Sequence, residues 1–365
     1  MPQTSWMIYG AYGYTGELIA REAVRRGLAP ILAGRSLDKL APLAAELGLQ
    51  ARAFALDDAA GVARNLAGYT LLLNCAGPFA GTAETVMRAC IQARVHYLDI
   101  TGEIPVFELA QRLSDEAAQG GVLLCPGVGM DVVPSDCLAA TLKQALPDAV
   151  ELALAFKVTA PPSGGSLQTM IEGMASGCMV RKDGVIVTVP FGSLRRRIDF
   201  GQGAQWSLAI PWGDVSTAYA STGIPNIAVY TPVPGFLHRP LRAVEPFRAM
   251  AGLAPVQRTL KTLAGLYRGP SAQRRQAGPT FFWGEVRNAG GETRQARLKT
   301  ESSQGFTAKS AITVARELLA MPKVDSGART PTQLLGSGLI ACVPDCAPIE
   351  LLPPTSRAER QTSPS

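Results

Sequence analysis

The feature that most constrains this chain is a glycine-spaced turn, Gly10-Ala-Tyr-Gly13-Tyr-Thr-Gly16. It lies between a short apolar run, Trp6 to Tyr9, and a stretch of helical periodicity from Glu17 to Arg26. Glycine lets the backbone turn tightly and lets another backbone approach it, so a strand that runs at once into such a turn and then into a helix opens a βαβ unit. Further apolar runs at Ala29 to Ala33, Ala51 to Leu56, Leu71 to Cys75, Tyr97 to Ile100 and Val122 to Cys125 predict five more strands. Between them, apolar residues recur at three- and four-residue spacing over Leu37 to Leu47, Ala59 to Leu66, Ala83 to Arg94 and Val106 to Gln119, which predicts helices. Strand and helix alternate throughout, the signature of a parallel sheet.

With 365 residues, 47% hydrophobic and 18% charged, the chain can bury a large core, and two domains are expected. After a helix predicted over Ser135 to Leu146 the pattern changes. Strands are predicted at Val150 to Thr159, Val185 to Val189, Arg195 to Phe200, Thr280 to Asn288 and Thr293 to Thr300, the last two joined by a hairpin turn at Asn288-Ala-Gly-Gly291. Leu167 to Gly177 and Ala308 to Ala320 read as helices. The fold class is therefore α/β: a Rossmann-type parallel-sheet domain over 1–135, then an α/β domain with a mostly antiparallel sheet over 136–330. A segment at 331–352 is expected to pack back on the body, with a disordered tail at 353–365.

Several function classes are disfavoured. A net charge of +6 and 6% aromatic residues give no footprint for nucleic acid. The seven cysteines are scattered without a CxxC pair, and His96 and His238 lie far apart, so neither a disulfide framework nor a metal site is expected. The start MPQTSW lacks a signal peptide and no 18-residue apolar stretch occurs, so a cytoplasmic protein is expected. Charge is uneven, however: Arg181 to Thr300 carries seventeen Lys and Arg against six Asp and Glu. Within it, 238–268 is a basic amphipathic pattern broken at Pro246 and Pro255. It reads as a cover for an acyl substrate, a contact for an acidic acyl-carrier protein or a membrane surface, or a helix pair with a solvated basic face.

The turn points to a dinucleotide. Free N–H groups and the positive helix end would meet a pyrophosphate there, which makes Gly10, Tyr12, Gly13, Tyr14, Thr15 and Gly16 cofactor-binding candidates. The GK[ST] of a triphosphate-binding loop is absent. Where a carboxylate would bond the ribose of NAD, the second strand ends in Gly34-Arg35-Ser36, and a guanidinium with a neighbouring hydroxyl suits the 2′-phosphate of NADP(H). Asn74, Ala76, Gly77 and Pro78 form a second small-residue turn on the same sheet edge. Asp57 or Asp58 is read either as an adenine contact or as the N-cap of the next helix.

The stretches GAYGYTG (10–16), AGRS (33–36), NCAGPF (74–79), HYLDITGE (96–103), PGVGMDVVPSD (126–136), SGGSLQTMIE (163–172), GEVRNAGG (284–291), GFTAKSAITVARELL (305–319) and RTPTQLLG (329–336) together resemble the saccharopine dehydrogenase-like oxidoreductases, and among them the trans-acting enoyl reductases. The resemblance implies an NADPH-binding domain followed by a domain that supplies substrate contacts and much of a homodimer interface. Tyr12 replaces the commoner threonine and is accommodated if its ring turns outward.

Hydride transfer needs a proton as well. Asp99, Glu103 and Asp131, in the segments 96–103 and 126–136 at the ends of the fifth and sixth strands, are the catalytic candidates; each has a structural alternative, as loop cap, surface ion pair or turn anchor. Tyr97 and His96 read as packing residues. No tyrosine has lysine four residues later, which disfavours a short-chain-type ketoreductase. The expected function is NADPH-dependent reduction of an activated double bond in a hydrophobic or acyl-bearing small molecule. The alternatives are a saccharopine-reductase-like imine dehydrogenase, with Arg195 to Arg197 and Arg287 as dicarboxylate ligands, and a non-catalytic NADP(H) sensor.

Overall fold

The computed structural model describes residues 5–159, 177–233 and 278–353, together with Thr262. The chain divides into two units, Met1–Val133 with Gln304–Pro344, and Pro134–Ser303 with Asp345–Ser365.

The first unit begins with β1 (Trp6–Tyr9), α1 (Tyr14–Arg25), β2 (Ile31–Gly34), α2 (Leu37–Leu47), β3 (Ala51–Ala53), α3 (Ala59–Leu66) and β4 (Leu71–Asn74). A 3-10 turn at Phe79–Gly81 leads to α4 (Ala83–Ala93), β5 (His96–Asp99), α5 (Ile104–Arg112), α6 (Ser114–Gln119) and β6 (Leu123–Cys125). All the strand pairings are parallel. β1 lies between β2 and β4, with Met7 opposite Ile31 and Tyr9 opposite Asn74. Every residue of β1 and β4 is buried, as in a sheet covered by helices on both faces, where each buried Leu or Ile contributes about 1.5–3 kcal/mol. The sheet reverses its direction of growth between β1 and β4, and ligands of open α/β sheets bind outside the carboxyl ends at such a point.

In the first third, two predicted elements differ most from their expected bounds. β3 stops at Ala53 because its partner β2 stops at Gly34; Phe54 N–H makes the last bond, to the Gly34 carbonyl, and its own carbonyl accepts the Tyr9 hydroxyl. The helix expected over Val106 to Gln119 is two, broken at Leu113, and the Ser114 hydroxyl accepts the Ala328 N–H.

The second unit contains α7 (Val133–Ala145, from its second residue), β7 (Ala149–Val158), β8 (Cys178–Lys182), β9 (Val185–Val189), β10 (Arg195–Asp199), β11 (Ala204–Ile210), α8 (Asp214–Thr222), β12 (Asn226–Pro232), β13 (Thr280–Asn288) and β14 (Thr293–Thr300). Its sheet is mixed and mostly antiparallel: β7 pairs parallel with β12 and antiparallel with β13, which forms the predicted hairpin with β14. Asn288 fastens that hairpin, its N–H donating to the Glu292 carbonyl and its Oδ1 accepting the Glu292 N–H. α7 packs on β13 where Gly284 leaves room for Leu138 and Leu142. The segments 163–172 and, but for Thr262, 238–268, the helix expected over Leu167 to Gly177 but for Gly177 itself, and the tail from 354 onward lie outside the described residues.

The chain then re-enters the first unit through α9 (Ser303–Ala320), followed by β15 (Gly327–Ala328), α10 (Pro331–Leu335) and α11 (Leu339–Cys342). This corrects the linear division at residues 135 and 330, since 304–330 belongs with the nucleotide half. The reason is hydrogen bonding: β15 adds a seventh strand beside β6, with Gly327 opposite Leu123, and Arg26 reaches Thr313 and the Lys309 carbonyl on α9. A two-residue strand has no periodicity to reveal it. β16 (Glu350–Leu351) closes the second unit's sheet beside β14.

Gly16 packs α1 onto the turn before it. A Cβ there would lie 2.3 Å from the Gly10 carbonyl oxygen, which is backbone and cannot rotate away, whereas at Gly284 the nearest atom, 2.7 Å away, is the flexible end of Leu142. Gly16→Ala is expected to lose about 1–3 kcal/mol of unfolding free energy in urea, despite the gain in helix propensity, and Gly284→Ala less than about 1 kcal/mol.

Candidate nucleotide-binding site

The glycine turn and the β4 turn meet main chain to main chain. Gly10 has φ +81°, and a Cβ on it would lie 2.9 Å from the Ala76 nitrogen and 3.0 Å from the Cys75 carbonyl carbon. The Gly10 and Ala11 N–H groups donate to the Ala33 carbonyl, and Gly13 N–H donates to Gly10, so the turn is fastened at both ends. Gly13 is the N-cap of α1 and has no side chain to fill the space ahead of the first helical turn. The first-turn N–H groups of a helix have no acceptor within it, so this opening suits a pyrophosphate.

At the carboxyl ends of β1, β2 and β3, four polar side chains converge. The Tyr9 phenol is pushed up to about 12, chiefly by burial and next by Tyr12, with Arg35 opposing and Asp57 reinforcing the shift. Arg35 is exposed and forms no salt bridge among the described residues. Ser36 stands at the N-cap of α2, but its hydroxyl does not cap the helix. Asp58 is settled as the N-cap of α3, accepting the Gly61 N–H at 2.6 Å, while Asp57 is exposed. The Tyr12 ring packs on the end of β2. It lies across Gly34, where a Cβ would come within 2.6 Å of its Cε1, and Lys39 Nζ sits 5.8 Å from its ring centroid.

On the other half of the sheet edge a buried chain of hydrogen bonds links three strand ends. Asn74 Oδ1 accepts the Ala76 N–H and its Nδ2 reaches the Tyr97 hydroxyl, which donates to Asp99 Oδ2 at 2.7 Å. Asp99 Oδ1 accepts the N–H groups of Thr101 (2.9 Å) and Gly127 (2.8 Å). Asp99 is 0% exposed, and burial pushes its carboxyl up to about 6 against those bonds. Glu103 accepts the Phe79 and Ala80 N–H groups rather than pairing with a surface cation.

Asp131 stands half-buried in the loop after β6, its carboxylate against the Gly102 main chain, where a Cβ would lie 2.9 Å from Oδ2. Burial pushes it, too, up to about 6. That loop is shaped by Gly127, at φ +80° against Val132 and Phe107. It is anchored to α9: Thr307 Oγ1 accepts the Met130 N–H, and Ser310 Oγ donates to the Val128 carbonyl. Neither α9 residue is legible in sequence as a site element, because periodicity predicts burial and not a distant partner.

Other residues take structural positions. His96 lies at the amino end of β5, its Nδ1 accepting the Leu123 N–H, and burial lowers its pKa. Arg196 pairs with Glu285, and Arg287 with Glu151, within the second unit. All seven cysteines are free thiols, no metal-holding cluster occurs among the described residues, and no described helix is long and apolar enough to cross a membrane.

Residues 6–125 match the family model of the saccharopine dehydrogenase NADP binding domain. The amino-terminal domain is an NADP-binding domain of the saccharopine dehydrogenase type. A human saccharopine dehydrogenase-like oxidoreductase is 31% identical over 156 residues, covering 36% of this chain and 35% of that protein. A putative trans-acting enoyl reductase from Mycobacterium tuberculosis is 28% identical over 187 residues, 47% of this chain and 44% of its own. The match thus spans less than half the length of either relative. Apo saccharopine dehydrogenase (L-Glu forming) from Saccharomyces cerevisiae shares the fold, with a TM-score of 0.63 at 12% identity over 96% of this chain and all of that one. The residues present fit NADP(H): a cradle that any Cβ at Gly10 would close, a helix start without a side-chain cap, and a cation at the end of β2 with no salt bridge among the described residues.

Gly34→Ala is expected to drive the Tyr12 ring off β2 and cost about 1–3 kcal/mol of stability. Adding Tyr12→Ala to the same chain should recover most of that loss in the same denaturation assay; no recovery would mean that Tyr12 is not what Gly34 accommodates.

Proposed function

We propose that the protein is an NADPH-dependent oxidoreductase that reduces an activated double bond, enoyl C=C foremost, in a hydrophobic or acyl-bearing small molecule. The observation that carries the reading is the backbone contact of Gly10 with Cys75 and Ala76, which builds a dinucleotide groove at the sheet reversal. The enoyl preference is supported by the enoyl reductase among the relatives.

In this reading Gly10, Gly13, Tyr14, Thr15 and Gly16 receive the pyrophosphate, and Arg35 with Ser36 receives the 2′-phosphate by charge and hydrogen bonding. Tyr12 and Gly34 shape the adenosine end, and Asn74, Ala76, Gly77 and Pro78 line the nicotinamide side. When bound, NADPH supplies hydride to the electron-poor carbon of the substrate. Of the three acids, Asp131 is the proton donor: it is half-buried beside Gly102 and burial pushes its carboxyl up to about 6, whereas Asp99 and Glu103 each hold two main-chain amides and take positioning roles. Asp99 orients the loops around it.

If Arg35 reads the 2′-phosphate, Arg35→Asp weakens NADPH by about 2–4 kcal/mol and spares NADH, and an unchanged affinity ratio in titration would reject the assignment. Asp131 donates while protonated, so kcat/KM for reduction is expected to fall as pH rises through about 6. In Asp131→Asn that inflection disappears and the rate drops by about 10²-fold. Tight NADPH binding with no turnover across a panel of enoyl, imine and carbonyl substrates would favour a sensor instead.

A further inference from the structure

Glu103 contacts the β4 turn through both carboxylate oxygens. Oε1 accepts the Phe79 N–H at 3.0 Å and Oε2 the Ala80 N–H at 2.8 Å, the two donors that open the 3-10 turn. Charge-assisted bonds of this kind are roughly twice as strong as neutral ones. Among the described residues, the other side-chain hydrogen bonds to this turn, from Asn74 and Thr82, both end on Ala76 in its first half. Its second half is held by Glu103.

Glu103 is itself fixed from behind. Its N–H donates to Thr101 Oγ1, and the Thr101 N–H is held by Asp99, which also holds Gly127. A continuous path of hydrogen bonds therefore joins the carboxyl ends of β6, β5 and β4. It ends on a turn whose first residues touch Gly10.

We infer that Glu103 is a positioning residue whose carboxylate fixes the 76–80 turn as the nicotinamide-side wall of the dinucleotide groove, so that this half of NADP(H), and not the 2′-phosphate half, depends on it. The inference rests on the NADP(H)-binding reading above. It makes Glu103 a main-chain clamp and removes it from the proton-transfer candidates.

The two halves of the cofactor can be assayed apart. Adenosine 2′,5′-bisphosphate reports only the Arg35 end, whereas NADPH reports both. In Glu103→Ala, NADPH is expected to bind ~10-fold more weakly while the bisphosphate stays within ~2-fold of wild type. Glu103→Gln keeps one acceptor oxygen, so its loss falls between wild type and Ala. Amide exchange at Phe79 and Ala80 should quicken in both variants, with the β1 and β4 amides unchanged. Equal weakening of both ligands, or NADPH affinity unchanged in either variant that folds, would overturn the inference. If Glu103→Ala does not fold, the NADPH-to-bisphosphate ratio in Glu103→Gln decides. Failure of the wild type to bind either probe would sink the NADP(H) reading itself, and is seen before any variant is made.

Discussion

The first unit depends on two stretches of main chain touching where side chains would keep them apart. Gly10 meets Cys75 and Ala76, and Gly16 meets Gly10, so strand, turn and helix sit closer than any Cβ would permit. This closeness leaves helix α1 pointing its uncapped end at the point where the sheet reverses. Phosphate binding then needs no special side chain, only amide groups aimed by the fold. In the function proposed above, specificity is added at the rim, by Arg35 and Ser36 at the end of β2.

Acids at the opposite half of the sheet edge divide by environment. Asp99, Glu103 and Asp131 look alike in sequence, each at or shortly beyond the end of a strand. Asp99 is wholly buried and holds two loop amides; Glu103 holds two more; Asp131 remains half-buried against a glycine main chain. Burial that raises a carboxyl to about 6 has a different use in each case. In Asp99 it is opposed by hydrogen bonds that make the group a fastener. In Asp131 it raises the carboxyl of the residue proposed above as the proton donor.

The alternation of strands and helices in the first third was legible because each element buries a regular stripe. Leu37–Leu47 and Ala59–Leu66 match their predicted bounds, as does the Thr280–Asn288 and Thr293–Thr300 hairpin. Less legible was whatever depends on a partner far along the chain. β8, β11 and β12 were not predicted, since the mixed sheet buries them without clean alternation, and α9 was assigned to the wrong unit because Thr307 and Ser310 look like ordinary helix residues. Around the candidate site, the positions of the glycines after β1 and of Arg35 after β2 could be read from spacing alone. The clamp made by Glu103 could not, because its acceptors serve amides 23 and 24 residues away.

The late return of α9 and β15 also has a kinetic meaning. A ribosome delivers residues in order, so the nucleotide-binding half emerges with β6 as an open edge and with the 126–132 loop still lacking its two hydroxyl anchors. Everything from Pro134 to Ser303 must be synthesised before those partners exist. Domains that are contiguous in sequence can fold one after another as they are made. Here the earlier-made unit waits for a segment that follows the bulk of the later one, and until β15 arrives β6 is left as an exposed edge strand.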